Sequence, residues 1–333
     1  MEQLYSLIKY QVARFLQKIC LFRLLILGLT VAIFLLSACS QYRVNTPIEK
    51  YDPNTGYRGK IMGRPGNSEH LLLYLTFSGG GTRAAALSYG VLEAMKKTGV
   101  AIDGEKHNLL GEIDAISAVS GGSFTAGYYG LFTDRIFEDF ESKFLKKNIQ
   151  GALFRRMVFN PVNWVRLISP TFDRSDFASE YYDKHVFEGG TFGDIAARKG
   201  PMILINATDM ISGIRVAFTQ DVFDVFCSDL QSFPVARAAA ASSAVPILLT
   251  PVTLRNYAGR CGFEIPYELE AALKERDITK RQYHHANNIM PYLDADNKPY
   301  IHLVDGGVAD NLGIRAVLDR VLRSGDLWSS LKS

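Results

Sequence analysis

Ser120 sits in Ala118-Val119-Ser120-Gly121-Gly122, where an apolar run from Ile113 to Val119 meets two glycines and a helix-like segment. A serine on a sharp strand-to-helix turn exposes its hydroxyl beside a helix N-terminus, which suits a nucleophile. Such a turn needs small neighbours, and Ala118 and Gly122 supply them. The usual form, G-x-S-x-G, has glycine where this chain has Ala118. Alone, the pattern is equally a glycine-rich turn capped by a serine.

A second glycine turn precedes it. The apolar run Leu71 to Phe77 has strand length and ends in Ser78-Gly79-Gly80-Gly81-Thr82-Arg83. A helix is predicted from Ala84 to Lys97, with Leu87, Val91 and Met95 on one face and Gly99 as C-cap. Strand, glycine loop and helix together point backbone N–H groups at an anion. A nucleotide loop would end in Gly-Lys-Ser/Thr, which Gly81-Thr82-Arg83 does not supply. A dinucleotide loop has a different glycine spacing. An oxyanion hole fits, with N–H groups aimed where charge develops on an attacked carbonyl. A plain βα turn fits as well. Arg83 opposes the helix dipole in the first turn, so it is either functional or an ordinary surface arginine.

The third stretch is Asp305-Gly306-Gly307, delivered by a predicted strand from Tyr300 to Val304. A carboxylate just past a strand's carboxyl end is placed for function in an α/β sheet. Asp310 nearby reads as a helix cap. A serine nucleophile needs a base. The six histidines are His70, His107, His185, His284, His285 and His302. None follows Asp305, so the Ser-acid-His order is excluded. Strand alternation turns His302 away from Asp305. His284 or His285 in another order stays open.

Together, the glycine loop, the Ala118–Gly122 elbow and Asp305-Gly306-Gly307 resemble the patatin-like phospholipases in content and order. The resemblance covers roughly Leu71 to Asp319 and departs at Ala118, which is small enough for the turn. It implies a Ser120–Asp305 dyad with Asp305 as proton acceptor. It also implies an oxyanion hole at Gly79, Gly80 and Gly81 beside Arg83, and hydrolysis of phospholipid or related acyl esters without a cofactor. Two other functions stay open: an acyltransferase on the same serine, and a non-catalytic lipoprotein that binds lipid or a partner protein. The fold expected from alternating strands and helices is α/β, a three-layer α/β/α sandwich around a mostly parallel sheet.

Export is expected from the N-terminus. Residues 1–38 carry Lys9, Arg14, Lys18 and Arg23 against Glu2, the whole of the formal +3 charge. The rest is balanced at 33 basic and 33 acidic residues, which argues against nucleic-acid binding. Leu24 to Ala38 is uncharged and apolar, the length of a signal-peptide core rather than a full span. It ends in Leu36-Ser37-Ala38-Cys39, which resembles a bacterial lipobox, with Cys39 the lipidated residue and Ser40 suiting outer- over inner-membrane sorting. An uncleaved anchor helix is the alternative. The expected organisation is a signal peptide (1–38), a tether (39–69) and the acyl hydrolase domain (70–333). In an oxidising compartment Cys227 and Cys261 would pair as a disulfide.

The remaining segments are less specific. Leu153 to Trp164 mixes Arg155 and Arg156 with Phe154, Phe159 and Trp164. It is either a surface for an anionic membrane or a solvated helix face with core aromatics. Pro234 to Pro246 is an alanine-rich helix whose Ser242 and Ser243 sit on no elbow. Gly259 to Asn297 reads as an insertion or a lid over the site, with one helix from Glu268 to Arg276. Histidines and cysteines show no zinc spacing, and no metal is expected.

Overall fold

The computed structural model of the protein describes residues 14–15, 17–29, 45–59, 66–169, 172–246 and 248–324. The lipobox and Cys39 lie outside the described residues. Residues 17–29 are helical, and no helix among the described residues is long and apolar enough to cross a membrane.

Strand β1 (Leu73–Phe77) leads into helix α1 (Gly81–Lys97). A small hairpin of β2 (Gly99–Ile102) and β3 (Glu105–Asn108) follows. Then β4 (Ile113–Val119) leads into α2 (Gly121–Phe132). Next come α3 (Ile149–Phe159), α4 (Pro161–Ile168) and α5 (Arg174–Tyr182). The rest of the sheet is β5 (Met202–Asp209), β6 (Arg215–Ala217), β7 (Val252–Arg255) and β8 (Tyr300–Val304). Helix α6 (Val235–Ser242) precedes β7; α7 (Tyr267–Glu275) and α8 (Arg281–Ile289) precede β8; α9 (Arg315–Ser324) follows it.

The strands form one six-stranded sheet in the order β1-β4-β5-β8-β7, with β6 also on β5. β1, β4 and β5 are parallel; β4 and β5 are buried almost throughout, as suits apolar strands inside a parallel sheet, whereas β1 at the sheet's edge is mostly half-buried and exposes Thr76. Helices lie on both faces. On one face Ile203 approaches α2 at Gly130. On the other, the Ser117 hydroxyl donates to the Gly313 carbonyl, 2.6 Å away. β8 runs against β5 and meets it only through Thr208–Val304 and Asp209–Leu303. This short overlap brings Asp305 to the edge where β4 releases Ser120, although β4 and β8 run in opposite directions.

Two local expectations change. The buried face of α1 is Ala85, Ser88, Tyr89, Leu92 and Met95, while Leu87 is 68% exposed. Close approach decides this: Thr125 of α2 donates to the Ala85 carbonyl at 2.8 Å, so small residues face the neighbour and Leu87 turns outward. The polar stretch before the domain is also no free tether over residues 45–59. Tyr57 is fully buried, its hydroxyl donating to Ile203 O and accepting from Ile203 N–H. Burial drives that phenol's pKa far up. Arg58 bonds Asp221 and Asp224, each at 2.6 Å. Ile48 and Tyr51 donate to the carbonyls of Cys227 and Cys261. Those cysteines form a disulfide, Cα atoms 5.5 Å apart, so the strap is bonded to both ends of a covalent clip.

Residues 259–297 hold two helices, α7 and α8, instead of one. Residues of α8, including His284 and His285, line a cavity of about 410 Å³ with β5, β6 and α9. Neither Ser120 nor Asp305 lines it.

Candidate active site

Ser120 occupies a turn that few residues adopt, at φ 49° and ψ −119°. A non-glycine residue held there stores backbone strain, and its surroundings must enforce the conformation. The enforcing contacts are visible. Ser120 N–H donates to the Ser242 hydroxyl at 2.8 Å, and Ser120 O accepts from Ser123 N–H at 3.0 Å. Ala118 lies within β4, paired between Phe77 and Ile205, where a side chain is accommodated. The turn itself begins after it, so glycine is not required there.

Asp305 is brought to the serine by β8. Ser120 Oγ donates to Asp305 Oδ2 at 2.9 Å. The other carboxylate oxygen accepts the Gly307 N–H at 2.7 Å. Both side chains are largely buried, at 6% and 8% exposure. Burial raises the Asp305 pKa above the usual carboxylate value, against smaller opposing effects from the Gly307 and Ser120 bonds. The carboxylate is thus a better proton acceptor than a solvated aspartate.

The glycine loop lies directly against this pair. A Cβ on Gly79 would stand 3.3 Å from Ser120 Cβ, and one on Gly121 would stand 2.0 Å from Gly81 O. Gly79 differs from the expectation: its N–H donates to the Asn311 carbonyl at 2.8 Å and is not free for a ligand. The other two loop glycines, Gly80 and Gly81, have φ 137° and 62°. Gly81 opens α1 and Gly121 opens α2, so two helix N-termini meet beside Ser120. Neither has an acidic residue in its first turn to neutralise its positive end. Arg83 is exposed in the first turn of α1.

The last turn of α6 joins the two halves. Ser242 is fully buried; its hydroxyl accepts from Ser120 N–H, donates to Asn206 O at 2.6 Å and lies 2.9 Å from Ser123 Oγ. Its carbonyl accepts the Gly306 N–H, and the Ala244 carbonyl accepts the Asp305 N–H, both at 3.0 Å. Thr208 fixes Asp305 from below, donating to its carbonyl at 2.9 Å. Sequence reasoning set Ser242 aside because it lies on no elbow. A serine ending a fully buried helix was the available signal.

The histidines do not approach Ser120. His302 Nδ1 lies 3.0 Å from Thr253 Oγ1, on the opposite face of β8. His284 bonds Ile278 O, and with His285 it lines the separate cavity. Asp310 accepts Arg315 N–H and caps α9. No group of His, Cys, Asp and Glu that could hold a metal occurs among the described residues. The arrangement is a buried hydroxyl–carboxylate pair beside a positive-φ glycine turn, chemically able to carry an acyl group.

A family model described as patatin-like phospholipase matches residues 75–318. Among solved structures, human GIVD cytosolic phospholipase A2 is similar, at 14% identity and a TM-score of 0.37. That match covers 75% of this chain and 44% of the other, so the chain spans less than half that structure's length. No curated protein matches.

Proposed function

The chain belongs to the patatin-like phospholipase family, and from that premise we propose that it is a serine acyl hydrolase acting on membrane lipid esters through Ser120 and Asp305. One observation carries this reading: the 2.9 Å Ser120–Asp305 bond at a strained elbow, beside the positive-φ turn of Gly80 and Gly81.

Asp305 takes the Ser120 proton as Oγ attacks the ester carbonyl carbon. The carbonyl oxygen becomes an oxyanion against Gly80 and Gly81 N–H, where one such donor contributes on the order of 10²–10³ in rate. Asp305 then passes the proton to the departing alcohol oxygen, leaving an acyl-serine. Water gives a proton to Asp305 and attacks the acyl carbon. The proton returns to Ser120 as the fatty acid leaves. Fixed dipoles stabilise the charge, with no metal in any step.

We further read Cys39 as the lipid-bearing first residue of an outer-membrane lipoprotein. Cys39→Ser should then leave the protein extractable from membranes by high salt; association that survives high salt would mean an uncleaved anchor.

An activity-based fluorophosphonate tests the nucleophile. The expected result is one modified peptide containing Ser120, lost in Ser120→Ala. Labelling elsewhere, or none, would overturn the assignment. Labelling without fatty-acid release would point to transfer onto an acceptor other than water.

A further inference from the structure

The hairpin of α3 and α4 breaks the usual pattern of burial. No residue of α3 is buried. Phe154 is 64% exposed and Phe159 77%; in α4, Val162 is 64%, Trp164 54% and Ile168 79% exposed. The aromatics that sequence reasoning could have assigned to the core face solvent. The segment has a well-formed frame nonetheless. Asn148 caps α3, Asn160 caps α4, Asn163 Nδ2 donates to Arg156 O and Trp164 Nε1 donates to Met157 O.

The charge on this hairpin is one-sided. From Asn148 to Ile168 it carries Arg155, Arg156 and Arg166 and no acidic residue. Exposed Lys147 adjoins it. The hairpin rests on α5: Arg166 pairs with Glu180 at 2.7 Å, and Arg156 lies over the Tyr181 ring. The first turn of α5 is tied to the loop leading out of the site, since Ser175 N–H donates to Thr250 Oγ1 at 3.2 Å. That loop begins at Ala244, which holds Asp305, and it exposes Val245 and Leu248. Past Asp305, Val308 and Leu312 are each 61% exposed. Apolar exposure therefore recurs on segments leading away from the catalytic pair.

We propose that the α3–α4 hairpin is a docking surface for an anionic lipid bilayer, inserting Phe154, Phe159, Val162, Trp164 and Ile168 while Arg155 and Lys147 meet headgroup phosphates. Aromatic and aliphatic side chains beside uncompensated basic groups are the composition that binds an anionic interface. A protein partner would need acidic groups around an apolar centre; a bilayer supplies both over any area. The proposal rests on the lipid-hydrolase reading only for its purpose, since the docking itself requires no catalysis.

The full chain on vesicles tests this. Trp164 and Trp328 are the only tryptophans, so Trp328→Phe leaves one fluorophore. Vesicles of phosphatidylcholine with brominated acyl chains, with and without phosphatidylglycerol, report whether Trp164 enters the bilayer, however the N-terminus is attached. Strong quenching on phosphatidylglycerol vesicles is expected, falling several-fold without that lipid and in a Phe154→Ser/Phe159→Ser/Arg155→Glu variant. That variant should also lose about tenfold in hydrolysis of vesicle lipid while keeping its rate on a dispersed short-chain ester. Unquenched Trp164 would overturn the proposal, as would equal loss on both substrates or a change of oligomeric state caused by the variant. Quenching without any hydrolysis would leave the docking surface standing and remove the catalytic reading.

Discussion

Two glycine turns face each other at this site, and they need glycine for different reasons. Gly80 and Gly81 both adopt positive φ; a Cβ on Gly81 would meet nothing within 4 Å, and one on Gly80 would meet only Ala84 Cβ, at 3.3 Å. Gly121 and Gly122 have no such φ, yet a Cβ would strike Gly81 O at 2.0 Å and Phe77 Cβ at 2.7 Å. One turn uses glycine to hold a positive-φ backbone. The other uses it to let the first turn come close. A glycine-rich turn in a sequence does not reveal which constraint it meets.

Substitution separates the two. Gly121→Ala drives a methyl into backbone that cannot rotate away. It should cost about 3 kcal/mol of stability and, by parting elbow from loop, lower kcat by roughly 10²–10³. Thermal melting and ester hydrolysis read both. Little change in either would mean the two turns can separate freely. Gly81→Ala has space and must only hold φ 62°, which costs roughly 1–2 kcal/mol. It should be milder on both measures. Equal damage from the two substitutions would erase the distinction.

Ser242→Ala strips the partner from a buried N–H on the elbow, a cost of about 1–3 kcal/mol. As a positioning residue, Ser242 should affect kcat more than KM, and Ser242→Thr should restore much of the loss. A pure stability change with kcat intact would limit it to packing.

The smallest effect concerns Asp305 and pH. Its folded pKa is raised by burial, so the folded state binds more protons than the unfolded chain between the ordinary aspartate value and the raised one. Stability then falls as pH rises through that window. Asp305→Asn should be at least as stable as wild type at neutral pH, with any advantage shrinking as pH falls through the raised pKa. In wild type, hydrolysis should fail on the acid side at a higher pH than a solvated aspartate would give. An Asn variant less stable at neutral pH would contradict the sign.

What the sequence revealed was local. Ser120 and its loop stood out because an apolar strand ended in small residues, and Asp305 because a second strand ended in a carboxylate and two glycines. The buried strands β4 and β5 followed from runs apolar on both faces, while the equally apolar β1 lies at the sheet's edge. What stayed hidden depends on contacts between distant segments. Asn311 O occupies the Gly79 N–H from more than two hundred residues away, and Ser242 reaches Ser120 across 122 positions. Residues 45–59 looked like linker because their composition is polar, but Tyr57 and Arg58 find partners in the domain that no local pattern announces. Leu87 misled in the opposite sense: its spacing fits a buried stripe, yet contact with α2 selects Ala85 and Ser88.

The central claim is that Ser120 and Asp305 act as one hydrolytic pair. Fatty-acid release from mixed phospholipid vesicles by wild type, Ser120→Ala and Asp305→Asn tests it most directly. Release by wild type, with nearly complete loss in both folded variants, is the predicted result. Substantial release by either variant, or none by wild type, would contradict it.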